Sequence, residues 1–403
     1  MKIAIIGGGA SGLCCAISAA IKAKKNNVPV RITIFESRDK AGRKILATGN
    51  GRCNLMNENE GDYYFDKNNF TSYALGRFNV KNNIDFFSQL GLYTRSDEEG
   101  RIYPLSNQAT SVLDALRFGC EKYGVNIICD KQINEIQFNG KFFCLNGEYV
   151  FDKVVLACGG KAGVKNFNGY DLLRQSGHSV TPLYPSLTKI EVKDKKFTKQ
   201  LKGIRQKGRF ILSAPDGIVA EENGELLFTD YGISGIAVMQ LSAYVVRIGK
   251  IDSLRVFADF VTEMPYNELV SAISAFAKSN PQGKLENLLS GFVAKKLGEA
   301  IIKSAGLNLN DSFVSLDDKK IKSIVSKLKK FTFEVDGVKG FDDAQVTAGG
   351  ADTKQFNPKT MESKKVKGLY CVGELLDIDG LCGGYNLHWA WSSGRLCGEN
   401  IID

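Results

Sequence analysis

The sequence predicts an α/β chain whose βαβ domain is supplied by both ends of the polypeptide and interrupted by an insert of different character. Residues 2–6, KIAII, are a β-branched run entering Gly7-Gly8-Gly9-Ala10-Ser11-Gly12. A small-residue and apolar helical pattern follows over 10–24, and 30–36, VRITIFE, alternate as a strand ending on an acid. A second glycine-dense region occupies 341–403, and between the two, after about residue 188, short strands and a lysine-rich helical stretch replace the glycine turns.

Composition limits the function classes. At 403 residues the chain has room for two or three domains. It has no apolar run long enough to span a bilayer, and its apolar N-terminus is punctuated by turn-forming glycines rather than built as a leader, so a cytoplasmic protein is expected. Ten cysteines are scattered without a C-x-x-C or a Cys/His metal spacing, which suits reduced thiols and no metal site. The net charge of +9 permits contact with nucleic acid, yet no aromatic-basic repeat accompanies it, so a nucleic-acid partner is not expected. With only His178 and His388, a mechanism built on several histidines is excluded.

In chain order, 57–62 (NENEGD) read as a polar loop, 80–91 and 108–123 as helices, and 125–130, 133–138 and 141–145 as strands. VVLACGG at 154–160 is a buried strand running into a glycine pair. Short strands follow at 189–193, 208–213, 225–229 and 255–261; PYNELVSAISAFAKS opens a helical stretch reaching about 330, and FTFEVDG resumes strand at 331.

The glycine run satisfies G-x-G-x-x-G in the right context: after a strand, at the start of a helix, with an acid ending the next strand. Gly7 permits the tight turn, Gly9 lets a pyrophosphate approach the backbone, Gly12 lets helix and strand pack, and the helix N-terminus offers oriented N–H groups and the positive end of its dipole. Glu36 is placed to accept hydrogen bonds from a ribose, and its charge disfavours a 2′-phosphate. FAD and NAD both fit this unit. Cys158, Gly159 and Gly160 are small residues of the kind needed where the chain turns beside a bound cofactor. A strand at 369–372 ends on Gly373-Glu374, whose carboxylate can bond a ribityl polyol. Gly383-Gly384-Tyr385-Asn386 opens a helix whose N–H groups can face a flavin pyrimidine edge, where the dipole would stabilise an anionic reduced ring.

GRKILATGNGRCN (42–54), GRIYP (100–104), GELLFTDYGISG (224–235), the stretch VTAGGADTKQFNPKTMESKKVKGLYCVGELLDIDG and GGYNLHWAWSSG together resemble the flavoprotein family that includes the aminoacetone oxidases and the BaiN-like reductases. The motifs run across nearly the whole chain in family order. The resemblance implies a Rossmann-like FAD-binding domain of the glutathione-reductase type with an inserted small β-barrel plus helical subdomain. That places the FAD domain at 1–188 and 341–403, the barrel-like insert at 189–262 and 331–340, and the helical subdomain at 263–330. It further implies pyrophosphate contacts at Gly7, Gly9, Ala10, Ser11 and Gly12, and ribose contacts at Glu36 and Ser37. Arg43 and Lys44 would run along the cofactor, with Thr48, Gly49, Asn50, Gly51, Arg52, Cys53 and Asn54 near the isoalloxazine. Ile133 joins Cys158, Gly159, Gly160, Gly373, Glu374, Gly383, Gly384, Tyr385 and Asn386 as a cofactor-lining candidate. The chain departs from the family pattern at Asp230 and Tyr231, at Ile236 in place of a proline, and at Asn50, where many relatives have glycine.

Catalytic groups are not assigned by the sequence. Cys53 has no second cysteine within 42–54, so a dithiol relay is not expected and a small residue against the cofactor is. Cys14 and Cys15 read as helix packing, His178 as structural, and His388 as a packed histidine with a flavin or substrate contact as its alternative. Tyr103, Tyr184, Tyr231 and Tyr385 are unassigned phenols; Trp389 and Trp391 fall on different helix faces, so one at most faces a cofactor. Arg101 is an anion clamp or a surface ion pair in equal measure. The lysines of 318–330 read as a solvated face. The resulting expectation is an FAD-dependent oxidoreductase, a reductase of a small organic molecule with NADH or NADPH as transient donor, since no second G-x-G-x-x-G exists to hold a nicotinamide. Small-amine oxidation with oxygen, tRNA modification and flavin binding without turnover are its alternatives.

Overall fold

The structure is a computed structural model that describes residues 1–59, 64–66, 68–165 and 167–403, so residues 60–62 of the polar loop read at 57–62 lie outside the described residues. It divides into two compact units, Met1–Tyr184 with Val346–Asp403 and Pro185–Gln345.

In the first unit the apolar strands Lys2–Ile6, Arg31–Phe35, Asn126–Ile128, Lys153–Leu156 and Leu369–Cys371 form one parallel sheet. Their order across the sheet is 369–371, 153–156, 2–6, 31–35, 126–128, so the two ends of the chain lie two strands apart. The helix Ala10–Lys25 makes the crossover from the first strand to the second, as a parallel pair requires. It packs on the C-terminal helix Tyr385–Asn400 through small residues: a Cβ at Gly394 would overlap the Ser11 carbonyl oxygen, and one at Gly398 the Cys15 carbonyl oxygen. Cys14, Cys15 and Cys397 are fully buried in this seam.

The second unit is a closed six-stranded barrel with helices between its strands. Strands follow the order Ile190–Val192, Gly232–Ser234, Gly217–Phe228, Arg205–Ala214, Arg255–Asp259, Phe331–Val338, and the last pairs back with the first. Closure removes every sheet edge. The hairpin 205–214/217–228 is longer than the alternation at 208–213 and 225–229 predicts. Glu221, Glu222 and Glu225 hide the pattern, because each acid finds a partner: Arg209, Gln240 and Arg205 respectively. Phe197 stacks on Phe331 with centroids 4.4 Å apart, and Phe228, Phe260 and Phe333 complete an aromatic core. The lysine-rich stretch resolves into Tyr266–Ser279, Lys295–Ser304 and Asp318–Lys329, the last burying Ile321, Ile324, Val325 and Leu328. A helix over Ile236–Ile248, not read from the sequence, follows the Gly232–Ser234 strand.

Candidate cofactor site

Four of the five parallel strands end, at their carboxyl ends, on the residues singled out by the sequence: 2–6 on Gly7, 31–35 on Glu36, 153–156 on the 158–160 turn and 369–371 on Gly373. This edge of an open parallel sheet is where ligands bind, because strand ends and helix N-termini converge there.

The contacts between these turns are close. A Cβ at Gly7 would overlap the Ala157 carbonyl, one at Gly12 the Gly7 carbonyl, and one at Gly373 would come within 2.6 Å of Ser11 Oγ. These glycines are demanded by neighbouring protein atoms. Gly9 is not: its φ is −84°, which any residue adopts, and a Cβ there would meet nothing within 4 Å. The helix it opens has no side-chain cap and no acid in its first turn to offset the positive end of its dipole. Glycine at position 9 therefore answers to no contact inside the protein and fits a bound pyrophosphate. Glu36 is fixed at the end of the second strand: Oε2 accepts from Gly8 N–H at 3.0 Å, and Oε1 accepts from Arg38 N–H at 2.9 Å and from the Ser37 hydroxyl at 3.3 Å.

The 42–54 loop is a run of tight turns in which Gly49, Asn50, Gly51 and Cys53 have φ of 56°, 54°, 82° and 57°. Asn tolerates this left-handed conformation better than other side chains, which accounts for Asn50 where relatives carry glycine. Cys53 pays a real strain there, is fully buried, and has its thiol pushed up to about 12 by desolvation. Cys53 forms no disulfide. Thr48 turns its hydroxyl onto the Ile45 carbonyl at 2.7 Å, and Arg52 lies over the Tyr103 ring at 4.9 Å.

Lys44 joins this loop to the opposite turn, donating to Glu374 Oε2 at 3.0 Å, while Glu374 Oε1 accepts from Thr347 N–H at 2.9 Å and presses on Gly160. Gly384 sits against the Met56 backbone, where a Cβ would come within 2.6 Å, and Asn57 donates to the Gly383 carbonyl at 3.1 Å. Thr347, Met56 and Asn57 were not singled out in the sequence. Thr347 lies in the VTAGG stretch whose glycines were the available signal, whereas nothing local marks Met56 or Asn57.

Other candidates have partners within the protein. Arg43 makes an exposed ion pair with Asp39 at 2.8 Å. Ile133 is buried, its carbonyl bonded to Asn168. Asn386 folds back on Gly380, accepting its N–H at 2.8 Å and donating to its carbonyl at 2.7 Å. Tyr385 is buried, with its hydroxyl donating to the Asn59 carbonyl at 3.3 Å. His388 bonds the Phe78 carbonyl at 3.1 Å in a buried site that depresses its pKa to about 4, and His178 contacts Ser363 Oγ at 2.7 Å. Trp389 and Trp391 are both core residues, donating to the Gly373 and Leu55 carbonyls. Arg101 is held by Asp97 and Glu99, each at 2.8 Å.

A family model described as HI0933-like protein Rossmann domain matches residues 1–400. The 3-dehydro-bile acid delta(4,6)-reductase of Clostridium scindens is 36% identical over 407 residues, covering 99% of this chain and 98% of that protein. A ribosomal RNA dihydrouridine synthase of Haemophilus influenzae is 32% identical over 415 residues, covering 98% and 97%. The 3-ketosteroid delta1-dehydrogenase of Sterolibacterium denitrificans, solved with 1,4-androstadiene-3,17-dione, superposes with a TM-score of 0.46 at 13% identity, covering 99% of each chain.

Proposed function

The chain belongs to the HI0933-like family of Rossmann-domain FAD oxidoreductases, and from that premise we propose that it is an NAD(P)H-linked reductase of a carbon–carbon double bond conjugated to a carbonyl. The names of the two relatives support this reading, since both describe saturation of such a bond in a carbonyl-bearing ring, one in a steroid and one in a uracil. The cofactor half of the reading rests on Gly9, the N-cap of the first helix, where no protein atom lies within 4 Å of a Cβ position and a diphosphate can approach the backbone.

In this reading the 7–12 turn holds the pyrophosphate and Glu36 the adenosine ribose. The 48–54 loop and the Gly383-Gly384 turn flank the ring system. Lys44 and Thr347 orient the Glu374 carboxylate and tie the loop to the last strand. FAD held by these residues would supply two-electron, hydride-transfer chemistry. Cys53, protonated and buried, acts as packing and not as a nucleophile. The start of the C-terminal helix, Tyr385–Asn400, would turn its dipole toward the ring edge and favour the negative charge of a reduced ring.

The test is anaerobic spectroscopy of the purified yellow protein. NADPH or NADH bleaches the flavin band, and a 4,6-dien-3-one steroid or a uracil-containing RNA restores it. Failure of both nucleotides to bleach the band, together with oxygen-dependent consumption of a small amine, would replace this reading by the oxidase.

A further inference from the structure

We propose that the outer face of the barrel carries a docking groove for single-stranded RNA. This rests on the reductase reading above and adds a partner for the barrel unit. Strands Arg205–Ala214 and Arg255–Asp259 turn Phe210, Leu212, Val256 and Ala258 into the buried core. The alternate residues face out in cross-strand pairs, Arg209 with Asp259, Ile211 with Phe257 and Ser213 with Arg255. Two cavities of about 370 and 280 Å³ open over this face and share Ser213 and Phe257, so they form one groove with an apolar floor. Ile218, on the adjoining hairpin, is 68% exposed at its edge.

The charges around that floor are unbalanced. Asp259, the only carboxylate lining either cavity, is tied to Lys329 at 2.7 Å, and Lys329 also donates to the Val261 and Met264 carbonyls. Arg209 is taken by Glu221. Arg255 and Lys330 have no carboxylate partner among the described residues; Glu334, opposite Arg255 in register, lies 3.8 Å from Lys193 instead. The Lys330 ammonium rests 4.7 Å from the centre of the Phe257 ring, in the place a stacked base would take, on a side chain long enough to swing to a phosphate. An aromatic ring set between two unneutralised cations complements a polyanion that carries flat rings. An acidic peptide would satisfy the cations and leave the ring unused. The sequence lacked an aromatic-basic repeat because the ring and the cations come from separate segments of the chain.

The holoenzyme is titrated into a labelled oligouridylate about twelve nucleotides long, and anisotropy is read at low and high salt. Wild type binds, more weakly as salt rises. Phe257→Ala loses about tenfold, the size of one base stack, Phe257→Trp retains affinity, and Arg255→Glu with Lys330→Glu loses at least about tenfold. Unchanged melting temperatures confirm that the variants fold. Absence of wild-type binding, or equal affinity in all variants, overturns the groove. Displacement by polyglutamate as effective as by RNA, with no effect of Phe257→Ala, assigns an acidic peptide and overturns it too. Flavin reoxidation by the dienone steroid is followed in wild type and in the same variants. If no acceptor reoxidises the flavin, the reductase reading falls, while the groove is judged on anisotropy alone.

Discussion

In the strand-and-helix unit, the helices Ala10–Lys25 and Tyr385–Asn400 meet almost backbone to backbone, with Gly394 against Ser11 and Gly398 against Cys15. In the barrel unit the core is filled instead by rings, Phe197, Phe228, Phe260, Phe331 and Phe333, with centroids 4.4 to 6.4 Å apart. The first solution brings main-chain groups close together and leaves their N–H and carbonyl dipoles aimed at the sheet edge. The second buries apolar area without exposing backbone. The first kind of packing leaves no spare volume for a side chain.

The largest effect should come from filling the seam. Gly394→Leu forces overlap with the Ser11 carbonyl, and at least about 4 kcal/mol of destabilisation is expected, read as loss of folded protein in denaturant titrations. Phe228→Leu in the aromatic core should cost only about 1–2 kcal/mol, because rings and aliphatic chains can shift to fill the gap. Equal effects would erase the contrast between the two packings.

A smaller effect tests the same helix through pH. His388 is neutral in the fold, with a pKa of about 4, and its unfolded value is near 6.5. Between these values the unfolded chain binds the extra proton, so stability falls as pH drops through that window and is fully present above it. From pH 7 to pH 5 the loss is about 2 kcal/mol. His178, also depressed by burial, adds in the same direction. The variant His388→Asn should show a shallower slope between these pH values, and an unchanged slope would mean that the imidazole is not buried neutral.

The least effect on stability and the sharpest on function belongs to Gly9. Gly9→Val has open space for its side chain but is a poorer N-cap, so apo-protein stability should fall by no more than about 1 kcal/mol. FAD retention through gel filtration should nevertheless collapse. A variant that kept its flavin would show that the cradle at position 9 is not the pyrophosphate site.

The sequence alone determined the features whose cause is local. The G-x-G-x-x-G turn, the strand ending on Glu36 and the burial of Cys14 and Cys15 all follow from side-chain size and periodicity within a few residues. Family resemblance supplied the expectation of a barrel. Only the tertiary structure decided which residues meet across long separations. Lys44 finds Glu374 330 positions later, Asn57 reaches Gly383, and Ile190–Val192 closes the barrel against Phe331–Val338. It also turned Arg43 toward Asp39 and Asn386 toward Gly380, and sank His388 and both tryptophans into the core. Backbone preferences are written residue by residue, whereas the partner of a charge or an amide depends on which distant segment the packed core brings within about 3 Å.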